Sequence, residues 1–226
     1  MQTLTKKLTE AGLQDKIITD SQLKRLLDGS AQRRYHLVNR ATKAGELMRL
    51  RRGLYVLAKP FRSRSCHPFA VAQMVEPGSY VSLQSALSFH GWIPETVYST
   101  TSIVPGRKAK EYLHEQFGQF TFHPLAIQTG YFLEVVERTQ IDQQMVLLAN
   151  PLRALMDLVC LNKVEWQGLD WIEQSMRIDS DSWEKITCAD FQALKPVYKQ
   201  KRVRNFMNKL ETALGLNPRR QEHDHE

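Results

Sequence analysis

Residues 18–57 read ITDSQLKRLLDGSAQRRYHLVNRATKAGELMRLRRGLYVL, and they decide the fold of the first part of the chain. Thr19 and Gln22 have the capping-box spacing T-x-x-Q, in which each side chain accepts a backbone N–H from the other residue. Ile18 and Leu23 stand at the N′ and N4 positions of a hydrophobic staple. The spacing predicts a short helix from Asp20 that turns Leu23, Leu26 and Leu27 inward. Asp28-Gly29-Ser30 ends it, and Ser30 is placed to cap the next helix.

That next helix is predicted over Ala31 to Lys43, with Leu37, Val38 and Ala41 as its inner stripe. The rest of its surface shows Gln32, Arg33, Arg34, His36, Asn39, Arg40 and Lys43, with no acid among them. Two helices across a tight glycine-containing turn, the second cationic and amide-bearing, make a helix-turn-helix pattern. Arginine suits guanine O6/N7 and phosphate, asparagine suits adenine N6/N7, and a capped helix start favours a phosphate. After Gly45 the period changes to alternation. Leu47 to Arg51 reads as a strand, Arg52-Gly53 as a turn and Leu54 to Leu57 as the returning strand, ended by Lys59-Pro60. Arg49, Arg51 and Arg52 on such a hairpin reach phosphates or a minor groove, as a wing does. Upstream, Leu4, Leu8 and Ala11 recur at helical spacing before Gly12. The expectation is a winged helix-turn-helix domain over residues 1–62. Its DNA contacts are Arg33, Arg34, Asn39, Arg40, Lys43, Arg49, Arg51 and Arg52. Lys43, like His36, reads equally as plain surface. The alternative is a structural three-helix module with a solvated basic face.

Charge supports the division. Residues 1–64 carry 15 Lys/Arg against 5 Asp/Glu, a net of +10, and the remainder carries 16 against 19, a net of −3. A small cationic module beside a larger acidic one points to a polyanion partner, here double-stranded DNA.

Residues 66–226 are expected to form an α+β domain with antiparallel strands and a helical C-terminal part, after a linker at 62–65. Pro68 to Val75 reads as a helix, and Ser82 or Ser85 caps another that closes at Gly91. Strands are expected at 97–104, in a hairpin over 108–122 near Gly118, and at 131–136 and 145–149. Asn150-Pro151 is an N-cap with proline at N1, opening an apolar helix through Leu161. Helices follow at 169–178, after Thr187, and over 197–214. The last carries Lys199, Lys201, Arg202, Arg204 and Lys209, read as a solvated face, with a second polyanion or an acidic protein as the alternative. The tail 219–226, with His223 and His225, is expected to be disordered.

With 226 residues, 42% hydrophobic and 24% charged, the composition is globular. No apolar run reaches the roughly 20 residues of a membrane span, and the polar start lacks a secretory signal. Cys66, Cys160 and Cys188 form no C-x-x-C, which fits a reducing, cytoplasmic setting. G-x-S-x-G, P-loop, G-x-G-x-x-G and H-E-x-x-H motifs are absent. Cys66-His67 point different ways, His90 and His123 lack metal-ligand spacing, and Asp157 reads as a buried hydrogen-bond or ion-pair partner. No cofactor or metal is expected, and the chain reads as a non-enzyme.

Three stretches resemble the AbiEi-type antitoxins of bacterial abortive-infection, or type IV toxin–antitoxin, systems. They are ELMRLRRGLYVL (46–57), YVSLQSALSFHGW (80–92) and ANPLRALMDLV (149–159), in that family's order. SAQRRYHLVNRATKAGEL (30–47) stands where its recognition helix should be. The resemblance covers residues 15–160. It implies a transcriptional autorepressor that binds inverted repeats in its own promoter. It also implies a second domain that counters an AbiEii-type nucleotidyltransferase toxin in phage defence. The same resemblance places DNA contacts at Arg33, Arg34, Asn39 and Arg40 on the helix and at Arg49, Arg51 and Arg52 on the wing. A monomer and a dimer formed on DNA both satisfy paired half-sites. A winged-helix-tethered nuclease or nucleotide-modifying enzyme, and a ligand-sensing transcription factor, stand as the other functional readings.

Overall fold

Leu4 and Leu8, one turn apart on α1 (Thr3–Glu10), are both fully buried in the computed structural model, which describes residues 3–95 and 97–216. They join Ile18, Leu23, Leu27, Ala41, Leu47 and Leu57 in one core, flanked by Leu37 and Val38. Each fully buried leucine contributes about 1.5–3 kcal/mol relative to exposure. The elements around this core are β1 (Ile18–Thr19), α2 (Asp20–Leu26), α3 (Ala31–Lys43), β2 (Leu47–Arg51) and β3 (Leu54–Leu57). The capping box is present: Gln22 N–H donates to Thr19 Oγ1 at 3.3 Å, and Thr19 N–H donates to Gln22 Oε1 at 2.8 Å.

β1 is an addition that two residues are too few to announce by alternation. It pairs antiparallel with β3, Ile18 opposite Tyr55 and Thr19 opposite Leu54, giving the strand order β1-β3-β2. Thr19 is therefore a strand residue and a helix cap at once, so the hairpin is tied to the start of α2.

The chain divides into two compact units. The first runs to Pro77 and includes Gln140–Met145, so the expected divide between 1–62 and 66–226 falls inside it. The expected linker at 62–65 is pinned by a residue far upstream. Asp15 Oδ1 accepts the N–H groups of Ser63 at 2.7 Å and Arg64 at 3.0 Å. Beyond it, α4 (Pro68–Val75) starts at a His67 cap with proline inside its first turn.

A mixed sheet, in the second unit except for residues 140–145, consists of β4 (Tyr80–Val81), β5 (Ser99–Val104), β6 (Lys110–His114), β7 (Gly118–Pro124), β8 (Val136–Ile141) and β9 (Gln144–Ala149). Their order is β6-β7-β5-β4-β9-β8. β5 runs parallel to β7 and β4 to β9, while β4–β5 and β6–β7 are antiparallel. The helices are α5 (Leu83–Phe89), α6 (Pro151–Leu161), α7 (Leu169–Met176), α8 (Cys188–Leu194) and α9 (Lys201–Ala213). α5 packs on both α6 and β5. The chain is thus α+β, as expected, although the sheet mixes parallel and antiparallel pairs.

Three expectations are corrected here. The strand expected at 131–136 is a run of turns, and β8 starts only at Val136. β8 is an exposed, polar strand at the sheet's end, so it lacks the apolar alternation that marks a half-buried strand. It returns through Asp142 and Gln143, both at positive φ (48° and 63°), a two-residue turn that glutamine does not advertise. The last helix begins at Lys201, not Val197, because Tyr198 is held extended in a bridge with Ile127. Ser82 is the N-cap position of α5, yet its hydroxyl makes no cap bond. The 219–226 tail, including His223 and His225, lies outside the described residues. No helix among the described residues is long and apolar enough to cross a membrane.

Candidate nucleic-acid interface

α2 and α3 are joined by residues 27–30. Gly29 has φ +98°, and a Cβ there would stand 3.1 Å from Arg33 Cδ, so the turn requires glycine. Ser30 Oγ accepts the Arg33 N–H at 3.2 Å and caps α3. Along α3, Arg34, Leu37, Val38 and Ala41 stand at i, i+3, i+4 and i+7, one helical face. Ala41 of that face is fully buried, and Leu37 and Val38 pack on the core. Arg34 is the polar member of this inward face. Its Nη1 donates to the Gly29 carbonyl at 2.8 Å, so it braces the turn.

The opposite face carries Gln32, His36, Asn39 and Lys43 at i, i+4, i+7 and i+11. Gln32 Nε2 and His36 Nε2 are 3.1 Å apart in a hydrogen bond. Tyr35, 63% exposed, meets the His36 ring edge-on. Arg33, Arg40 and Lys43 are exposed, and Asn39 is half-buried.

On the hairpin, Arg49 and Arg51 are exposed on either side of fully buried Leu50. The register slips between Arg49 and Arg51, which brings Arg51 opposite Leu54. Arg52 is exposed in the turn with Gly53, whose carbonyl accepts the Asp20 N–H at 2.9 Å. This bond and the Thr19–Leu54 pairing fix the hairpin against the first residue of α2. Among the described residues, no ion pair engages Arg33, Arg40, Lys43, Arg49, Arg51 or Arg52.

The second unit handles charge differently. Arg153 on α6 is fully buried. Its Nε donates to Asp157 Oδ1 at 3.0 Å, its Nη2 to the Tyr80 hydroxyl at 2.7 Å and its Nη1 to the Glu134 carbonyl at 2.8 Å. Asp157, also fully buried, accepts from the hydroxyls of Tyr80 at 2.9 Å, Ser82 at 2.7 Å and Tyr198 at 2.8 Å. Burial works against the Arg153 charge, but Asp157 and the two phenols outweigh it and hold its pKa above the ordinary value. Burial first, then Asp157, pushes both phenols well up. Immediately after Ser82, Leu83 is buried with φ +58°, a left-handed conformation uncommon for a residue with a side chain.

Asp157 was foreseen as a buried partner; Arg153, Tyr80, Ser82 and Tyr198 were not. The available signal was the i, i+4 spacing of Arg153 and Asp157 in an otherwise apolar helix. His90 caps the end of α5 and contacts the Ala149 carbonyl at 2.9 Å. His123 lies in β7, where burial lowers its pKa. Cys66 and Cys160 are buried and Cys188 half-buried, all as free thiols, and burial pushes Cys160 up to about 11. Among the described residues, no group of three or more His, Cys, Asp or Glu is arranged to hold a metal ion. No protein-family model matches the chain, and neither does any curated protein.

Proposed function

We propose that the chain is a DNA-binding autorepressor and antitoxin, acting by binding and not by catalysis. α2, the turn at 27–30 and α3 are its helix-turn-helix, and the β2–β3 hairpin is its wing. The observation that carries this reading is the set of six exposed cations on α3 and the hairpin that, among the described residues, are in no ion pair. Clustered like charges weaken a fold unless a counter-charge is supplied, and a duplex supplies one every ~1.7 Å along its axis. α3, at 13 residues, is about 20 Å long, and its exposed sides carry amide and guanidinium groups suited to base edges. Asn39 with Arg33 and Arg40 read bases, Lys43 and the hairpin arginines hold phosphates, and Arg34 sets the turn.

The antitoxin half rests on the resemblance of residues 80–92 and 149–159 to the AbiEi-type family. Four polar residues of those stretches, Tyr80, Ser82, Arg153 and Asp157, are buried and satisfy one another. These four therefore hold the second domain together and are closed to a nucleotidyltransferase toxin. A monomer that pairs on an inverted repeat serves the repressor role.

A mobility-shift assay on the upstream region of the gene tests the DNA reading. Specific binding is expected, and if about six phosphates are neutralised, log K falls against log salt with a slope near −5. Equal affinity for any sequence overturns the repressor assignment. Co-expression with the neighbouring gene tests the antitoxin half: growth inhibition by that gene alone, relieved by this chain, is expected. Turnover of nucleic acid by the pure protein with Mg²⁺ or Mn²⁺, abolished by one acidic substitution, replaces the binding reading with an enzymatic one.

A further inference from the structure

We propose that the first unit also carries a binding site for a short zwitterionic peptide, a dipeptide in size, with apolar side chains. The site is a cleft of about 650 Å³ whose walls are residues 12–17, 63–64, part of α4 and the turn at 142–145, all within that unit. Small-molecule sites occupy about 300–1,000 Å³. The lining includes Ile17, Ala70, Met74 and Met145, the last 59% exposed, which offers apolar side chains somewhere to go.

The polar lining sorts by charge. Lys16 and Arg64 are exposed cations, and among the described residues neither is in an ion pair. Asp15 already spends Oδ1 on the N–H groups of Ser63 and Arg64. Asp142 is the other carboxylate of the lining, exposed and without an ion pair among the described residues. Lys16 and Arg64 thus receive a carboxylate, and Asp142 receives an ammonium. Among the described residues no aromatic side chain lines the cleft to stack a nucleobase, which favours a peptide over a nucleotide.

Titration calorimetry on the full chain with leucyl-leucine tests this without reference to DNA. Saturable binding is expected. N-acetyl-leucyl-leucine, lacking the ammonium, and leucyl-leucinamide, lacking the carboxylate, are each expected to bind about tenfold more weakly. Asp142→Asn should erase the penalty for acetylation. The Lys16→Ala, Arg64→Ala double variant should erase the penalty for amidation. Asparagine tolerates the positive φ at position 142 and the two cations are exposed, so unchanged melting curves are expected of both variants. No heat at about 10 mM dipeptide, or equal affinity for capped and free forms, overturns the proposal. Binding of adenosine monophosphate but not of the dipeptide overturns the ligand class.

Discussion

α3 and α6 are both short helices opened by a side-chain cap, Ser30 on one and Asn150 on the other, and both carry arginine. They treat that arginine in opposite ways. α3 points Arg33 and Arg40 into solvent with no acid on the helix, whereas α6 hides Arg153 completely and gives it a carboxylate, a phenol and a backbone carbonyl. A guanidinium whose donors are all engaged inside a core holds a fold and is closed to a ligand. One that is solvated and unpaired gives up little when it meets a phosphate. The contrast separates the arginines that build this protein from those that are free to recognise something.

The strongest way to break the comparison is Asp157→Ala. It strands a buried guanidinium, and the second unit is expected to lose about 3–5 kcal/mol of stability. All four tryptophans (Trp92, Trp166, Trp171, Trp183) lie in that unit, so urea unfolding followed by tryptophan fluorescence reads it selectively. An unchanged midpoint would show that the pair carries no structural weight.

Tyr198→Phe removes one charged hydrogen bond without emptying the core, and the expected loss is about 1.5–3 kcal/mol. The same tyrosine sets an alkaline limit. Its folded pKa is raised, so above pH ~10 the unfolded chain releases a proton that the folded chain keeps. Stability is full below that pH and falls as pH rises. Tyr198→Phe should make the fall shallower, while Tyr80 keeps part of it.

On the other side of the comparison, Arg33→Ala or Asn39→Ala should cost about 1–3 kcal/mol of preference for the operator over random duplex. Neither should move the tryptophan transition. Retained preference in both would remove them from the base-reading set. The smallest effect is expected of Arg52→Ala. It should weaken specific and random duplex alike and reduce the salt slope by about 1. A loss of preference instead would make the β2–β3 hairpin a base reader.

Much of the first unit was legible because its signals are local. Thr19 and Gln22 satisfy each other across three residues, Ser30 caps Arg33 across three, and the α3 bounds follow from that cap and the alanine-to-lysine periodicity. Arg34 shares the face of Leu37, Val38 and Ala41, a phase that its charge alone does not reveal, and its bond to the Gly29 carbonyl depends on the turn between the helices. The second unit was legible in its caps, Asn150 and Thr187, and in the 110–124 hairpin. β8 escaped because a polar end strand looks like a loop, and the start of α9 was overrun because Tyr198 has its partner at Ile127.

By itself, the sequence determined the caps, the hairpin turn, the amphipathic phase of α3 and the concentration of positive charge in residues 1–64. All of these depend on neighbours within a few positions or on composition alone. Only the tertiary structure decided that Asp15 pins residues 63 and 64, that β1 pairs with β3, and that Arg153, Tyr80, Asp157 and Tyr198 form one buried network. Except for Arg153 and Asp157, one helical turn apart, those partners lie tens of residues apart. A buried polar group is stable only when such a partner arrives, and no local pattern records which one it will be.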